Sequence, residues 1–254
     1  MKIGIQTRPW GPEANRQRLG DVLADIRAAG YDGIEIGAQH LDLRKPGLLL
    51  RLLDEHELMT AGIHVGGEIY DPDALRRARA ELERTAGYAA EVGAGYLAFS
   101  GKPLEGKTTE MLAAEADNLN RLGEMCARQG VSLAYHNHAW EIEGDCAELR
   151  FLRDHTDPAL VSFLLDVAWV QRGSGDPVAV TREFLPRIVC FHLKDTRGDE
   201  WLELGRGAVD FSGLFEVIRG RPWRWLVVEQ DETKRPPIES ARISRDYLRE
   251  KLGV

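Results

Sequence analysis

The amino-acid sequence predicts an α/β fold of eight parallel strands, each followed by helix, closed into a single (β/α)8 barrel. Three observations predict it. Short apolar runs alternate with longer amphipathic ones along the whole chain, the pattern of parallel strands joined by helical crossovers. Eight such runs in 254 residues leave roughly 32 residues per unit, which suits a barrel of typically ~250 residues. No Gly-x-Gly-x-x-Gly follows the first run, so the usual marker of the rival doubly wound open sheet is missing.

In order, the strands are expected at KIGIQT (2–7), GIEIG (33–37), TAGIHVG (60–66), YLAFSG (96–101), SLAYHNH (132–138), VSFLLDV (161–167), IVCFHLKD (188–195) and WLVVEQD (225–231). Each is rich in Ile, Val, Leu or aromatic residues and bounded by Gly, Pro or charge. Residues 16–30 and 71–95 carry helical apolar stripes that end in glycine, and DPDAL offers an aspartate to cap the second. The shortest helix is expected within AVDFSGLFEVIRG (208–220). No linker, low-complexity tract or charge block divides the chain, so residues 1–254 are expected to form one domain.

The formal net charge of −8 argues against a nucleic-acid partner, because phosphate binding wants a basic face. Cys126, Cys146 and Cys190 are too few and scattered for a disulfide framework, and fit buried thiols in a reducing compartment. The N-terminus begins a strand without a signal-peptide stretch, and no apolar run is long enough to span a membrane. The expected location is cytoplasmic.

A barrel places its chemistry at the C-terminal ends of the strands. His64, His136, His138 and His192 fall at or near such ends, His40 just after one, and only His56 and His155 in helical stretches. Asp166, Glu229 and Asp195 close or follow apolar runs, where a charge must be paired, coordinated or solvated. Glu35 lies mid-strand and reads as a buried partner rather than a ligand. Alternation puts His136 and His138 on one face beside Asp166 of the next strand. Two imidazoles and two carboxylates suit one borderline divalent ion such as Mn²⁺, Co²⁺, Zn²⁺ or Fe²⁺, with open positions for substrate oxygens.

AYHNHAWE, FLLDVAW, FHLKD, LGRGAVDF and WLVVEQD, in this order, together with GYDGIEIG near the N-terminus, resemble the sugar phosphate isomerase/epimerase group of xylose isomerase-like TIM barrels. Its relatives include inosose dehydratases, ketose epimerases and hydroxypyruvate isomerases. The resemblance implies one divalent metal, Mn²⁺ first and Mg²⁺ also among the candidates, held by His136, Asp166, His192 and Glu229. Many relatives carry glutamate where this chain has His136, which leaves His138 or Glu141 as alternative ligands from that strand. In ketose epimerases that glutamate is one of two opposed acid/base residues. Several relatives have histidine where this chain has Trp169. Barrels of this kind often form dimers or tetramers.

The chemistry expected is proton abstraction next to a metal-chelated carbonyl and hydroxyl of a small carbohydrate, giving an enediolate that partitions to isomerisation or epimerisation. Loss of a β-hydroxyl or β-alkoxy group, as in a dehydratase or lyase acting on a keto-sugar, inosose or 3-keto-glycoside, is the alternative. His138 is the expected base, with Glu229 and Glu141 as further catalytic candidates. His64, Lys194, Trp169, Trp10, Arg8 and Arg206 are expected to contact substrate. An endonuclease IV-like nuclease needs three metals and more ligands than are at hand. A non-catalytic sugar-binding protein would have no need of the four-ligand pattern.

Overall fold

The computed structural model describes residues 1–254. Eight parallel strands close into a barrel: β1 (Lys2–Gln6), β2 (Gly33–Gly37), β3 (Met59–Gly66), β4 (Tyr96–Ser100), β5 (Leu133–His136), β6 (Val161–Asp166), β7 (Ile188–Leu193) and β10 (Trp225–Val228). A hairpin of β8 (Asp195–Arg197) and β9 (Glu200–Leu202) is inserted after β7. The outer layer comprises α1 (Gly11–Gln17), α2 (Leu19–Ala29), α3 (Pro46–Glu55), α4 (Ala74–Glu91), α5 (Thr109–Arg128), α6 (Glu143–His155), α7 (Val167–Arg172), α8 (Pro177–Phe184), α9 (Phe211–Ile218) and α10 (Pro237–Leu252). No helix is long and apolar enough to cross a membrane.

Local chemistry explains the departures from expectation. The helix expected over 16–30 is two helices, broken at Arg18, whose ψ of 40° leaves the helical region. It does end at Gly30, in the left-handed conformation glycine favours. Asp73 does not cap α4; Asp71 accepts the Asp73 backbone N–H instead. The fifth strand stops at His136 rather than His138, because the Asn137 side chain takes over its pairing with β6. Asn137 Oδ1 accepts the Asp166 N–H at 2.9 Å and its Nδ2 donates to the Asp166 carbonyl.

Outward-facing strand residues pack under the helices in one large apolar core. A smaller cluster fills the barrel itself: Ala61, Tyr96, Ala98, Ala134, Leu164, Cys190, Trp225 and Val227. Trp225 closes the N-terminal end, and space for its indole comes from glycine. A Cβ on Gly33 would sit 2.7 Å from the Trp225 ring and 2.4 Å from the Met59 carbonyl oxygen. All three cysteines are buried and unpaired, as the sequence suggests. This apolar floor makes everything above it on the strands a sheltered polar layer. Trp225→Ala is therefore expected to cost about 3–5 kcal/mol in urea unfolding, the range for a large aromatic cavity; a loss below ~1 kcal/mol would mean that the floor does not carry the barrel.

Candidate active site

Inward positions turn polar one step above the apolar floor. The strand registers bring Asp166 level with His192 and Ser100 level with His136. His136, Asp166, His192 and Glu229 are all buried, and one potential ligand atom from each lies within 4.8 Å of the others. Asp166 serves two purposes. Its Oδ1 accepts the backbone N–H groups of Ala168 and Trp169, capping α7, and its Oδ2 faces the cluster.

Hydrogen bonding assigns the ring tautomers. Glu35, buried on β2, accepts from the Tyr96 hydroxyl at 2.7 Å, His192 Nε2 at 3.0 Å and His64 Nδ1 at 3.2 Å. His64 Nε2 then accepts from the Ser100 hydroxyl at 2.7 Å, and Ser100 Oγ accepts from His136 Nδ1 at 3.2 Å. This leaves His136 Nε2 and His192 Nδ1 as the ring nitrogens facing the cluster, both buried without a hydrogen-bond partner. They face carboxylates: His192 Nδ1 is 3.0 Å from Glu229 Oε2, and His136 Nε2 is 3.6 Å from Asp166 Oδ2. Lone pairs aimed at carboxylate oxygens repel unless a cation lies between them. Two nitrogens and two oxygens so arranged fit a divalent ion.

Charge balance gives the same answer. Glu35, Asp166, Glu229 and Asp231 supply four negative charges, while Lys194 and Arg8 are the cations in direct contact with them. The carboxylates outnumber those two cations, so the layer carries a surplus of negative charge that a further cation offsets. The titrations register the surplus. Burial, eased by Lys194, pushes Asp166 up to about 6. Burial opposes a charged His192, but Glu35 and Glu229 on either side outweigh it and raise the ring to about 10. A metal at that point takes the place of the proton.

Above the cluster is a cavity of about 470 Å³ whose lining includes His64, His138, Trp140, Trp169, Glu229 and Asp231. His138 sits beyond the end of β5, its ring stacked on Trp140 at 4.3 Å and 4.8 Å from the His136 ring. Its backbone N–H donates to Glu141 at 2.7 Å, and its Nδ1 has no partner. Burial, reinforced by His136, holds the His138 ring well below the usual histidine range and therefore neutral.

Several expected contacts lie elsewhere. Glu141 does not face the mouth: it is buried behind β5, accepting from Tyr135 at 2.8 Å, and burial pushes it up to about 8. Trp10 donates its indole N–H to Asp25 at 2.9 Å and does not line the cavity. Arg206 is exposed away from the cavity and offers its backbone carbonyl to Arg197. Asp195 ties down a loop, accepting from the backbone of Thr196, Gly205, Gly207 and Val209. Lys194 is buried against Asp166, Glu229 and Asp231 under the rings of Trp169 and Trp201. Asp231, Ser100 and Tyr96 went unsingled in the sequence, although alternation from Glu229 marks Asp231 and alternation along YLAFSG marks the other two.

A barrel with this polar layer at its C-terminal end defines the class, and sequence comparison gives the family. The chain belongs to the xylose isomerase-like TIM barrel family, whose profile matches residues 23–251. It is 28% identical over 271 residues to an inosose dehydratase of Halalkalibacterium halodurans, covering 92% of this chain and 88% of that one. Among solved structures it resembles a sugar phosphate isomerase/epimerase from Parabacteroides distasonis, with a TM-score of 0.83 and 22% identity over 97% of this chain and 93% of that one. It also resembles the IOLI protein with a bound zinc atom, with a TM-score of 0.77 and 15% identity over 100% of this chain and 98% of that one. These two likenesses show the fold. The relatives make it a family of sugar-modifying enzymes.

Glu35 touches no cavity but orients two of the rings above it, so Glu35→Gln is expected to weaken divalent-metal binding about 10- to 100-fold. Calorimetric titration of the metal-stripped protein with Mn²⁺ or Zn²⁺ checks this, and unchanged affinity would show that the ligand rings hold themselves.

Proposed function

We propose that the protein is a divalent-metal-dependent dehydratase or lyase acting beside the carbonyl of a cyclic keto-polyol, of the inosose or keto-glycoside kind. The observation that carries this is the buried imidazole of His136 in the ligand cluster, where the resemblance to ketose epimerases implies a glutamate. With an imidazole there, that position supplies no carboxylate to act with Glu229 in shuttling a proton across the substrate. The 28% identity to an inosose dehydratase supports the same reading.

His136, Asp166, His192 and Glu229 are the proposed ligands. A bound divalent ion supplies Lewis acidity to the substrate carbonyl, which acidifies the C–H beside it. His138 lines the cavity and its Nδ1 has no hydrogen-bond partner, so it is the group assigned to take that proton. Asp231, whose carboxyl burial and the Glu229 charge raise against the opposing pull of Lys194 and Arg8, is suited to hold the proton delivered to the departing hydroxyl. The C–H electrons become the new C=C bond as the C–O bond breaks, and the hydroxyl leaves as water. Trp169 would wall the ring, and His64 would contact a hydroxyl.

Isomerisation or epimerisation is the second reading. It is favoured by the presence of two proton carriers on different strand ends, His138 after β5 and the Asp231–Lys194 pair after β10 and β7. Incubating inososes, ketoses and 3-keto-glycosides with the metal-loaded protein in D₂O separates the outcomes. Elimination predicts an unsaturated ketone, or its diketone tautomer, in which the carbon that lost its proton carries no deuterium; deuterium at that carbon in an intact isomer supports the second reading, and neither outcome across the panel contradicts both. His138→Ala should lower kcat by about 10²-fold or more while keeping its metal. Metal lost with that substitution would make His138 a ligand.

A further inference from the structure

The cavity over the ligand cluster does not end at the metal chamber. A second chamber of about 460 Å³ adjoins it, and the two share Gln6, Arg8, Gly37, Gln39 and Asp231 in their walls. The metal chamber alone falls in the range of roughly 300–1,000 Å³ that holds a drug-sized ligand, so one six-carbon ring does not need the second. Its lining contains no hydrophobic residue. We infer that this chamber, built by Gln6, Asn15, Arg16, Gln39 and His40, is the binding site for a second sugar unit, so that the preferred substrate is a two-unit keto-glycoside.

The wall carries both donors and acceptors, as a hydroxyl-bearing group requires. Asn15 is 1% exposed and donates from Nδ2 to the Thr7 carbonyl at 3.0 Å, which fixes its amide orientation. Its Oδ1 is left buried with no partner. Arg8 Nε is held 2.9 Å from Asp231 Oδ1, so the guanidinium in the shared wall already has a carboxylate beside it. Arg16 reaches His40 Nδ1 at 3.4 Å, and Gln39 Nε2 lies 3.3 Å from His40 Nε2. Together they form a polar rim of amide, imidazole and guanidinium, suited to several hydroxyls at once.

The inference rests on the elimination reading and extends it by changing the leaving group. The C–H proton passes to His138 and its electrons form the C=C bond. The C–O bond to the second unit breaks, and that unit leaves as an alcohol with the proton held by Asp231 and Lys194. No oxidant or co-reactant is required.

The test compares a 3-keto-disaccharide with the matching methyl 3-keto-glycoside, by turnover in the wild-type protein and by calorimetric binding to the metal-loaded His138→Ala protein. The disaccharide is expected to show at least tenfold higher kcat/KM and tighter binding, and Arg16→Ala combined with His40→Ala should collapse that preference towards one. Equal kcat/KM and affinity for the two ligands, with both turned over, would overturn the second-unit site and leave the elimination reading standing. Failure of both ligands to bind or react would overturn the elimination reading and this inference with it.

Discussion

The fold of the active layer depends on one buried carboxylate. Glu35 is fully enclosed in the barrel, yet it stays charged: burial works against it, and hydrogen bonds and charge from His192 and His64 outweigh that and hold it well below the usual carboxylate range. Its three donors come from β3, β4 and β7, so the side chain on β2 locks the heights of its neighbours across the barrel. From it the proton order follows by necessity. His192 and, through His64 and Ser100, His136 each spend one N–H below, which leaves the other ring nitrogen of each facing the cluster. A charged residue in the middle of an apolar strand is costly, and here the cost is offset by orienting two ligand rings at once.

The layering explains why the metal, acid/base and substrate groups separate cleanly. Trp225 and the alanines fill the floor, Glu35 and its donors form the middle, the four candidate ligands come next, and His138, Trp169 and Asp231 rim the cavity. Each step upward is two residues along a strand, as in Trp225, Val227, Glu229 and Asp231. Asp195 points out of this progression, and three of its four backbone hydrogen bonds instead shape the loop from Gly205 to Val209.

The barrel and the four-residue cluster were legible in the sequence because both depend on period-two alternation within apolar runs. GIEIG coincides with β2, and Glu35 reads correctly as a buried partner because it lies inside a strand. Legibility fails where the strands end. Beyond His136 the Asn137 side chain replaces the backbone ladder, so alternation no longer says where Glu141 points, and Glu141 folds behind the strand to Tyr135. Trp10 and Arg206 lie in loops whose path is set by partners distant in sequence, Asp25 and Arg197 among them. The adjoining polar chamber is likewise made by loops after β1 and β2, and no motif announces it.

The central claim is that His136, Asp166, His192 and Glu229 hold one divalent ion. Metal content per chain after exhaustive dialysis tests it most directly, measured for the wild type and for Asp166→Ala. The account predicts about one equivalent of a transition metal in the wild type and close to none in the variant. A wild type that binds no metal even after loading, or a variant that keeps its full equivalent, would contradict it.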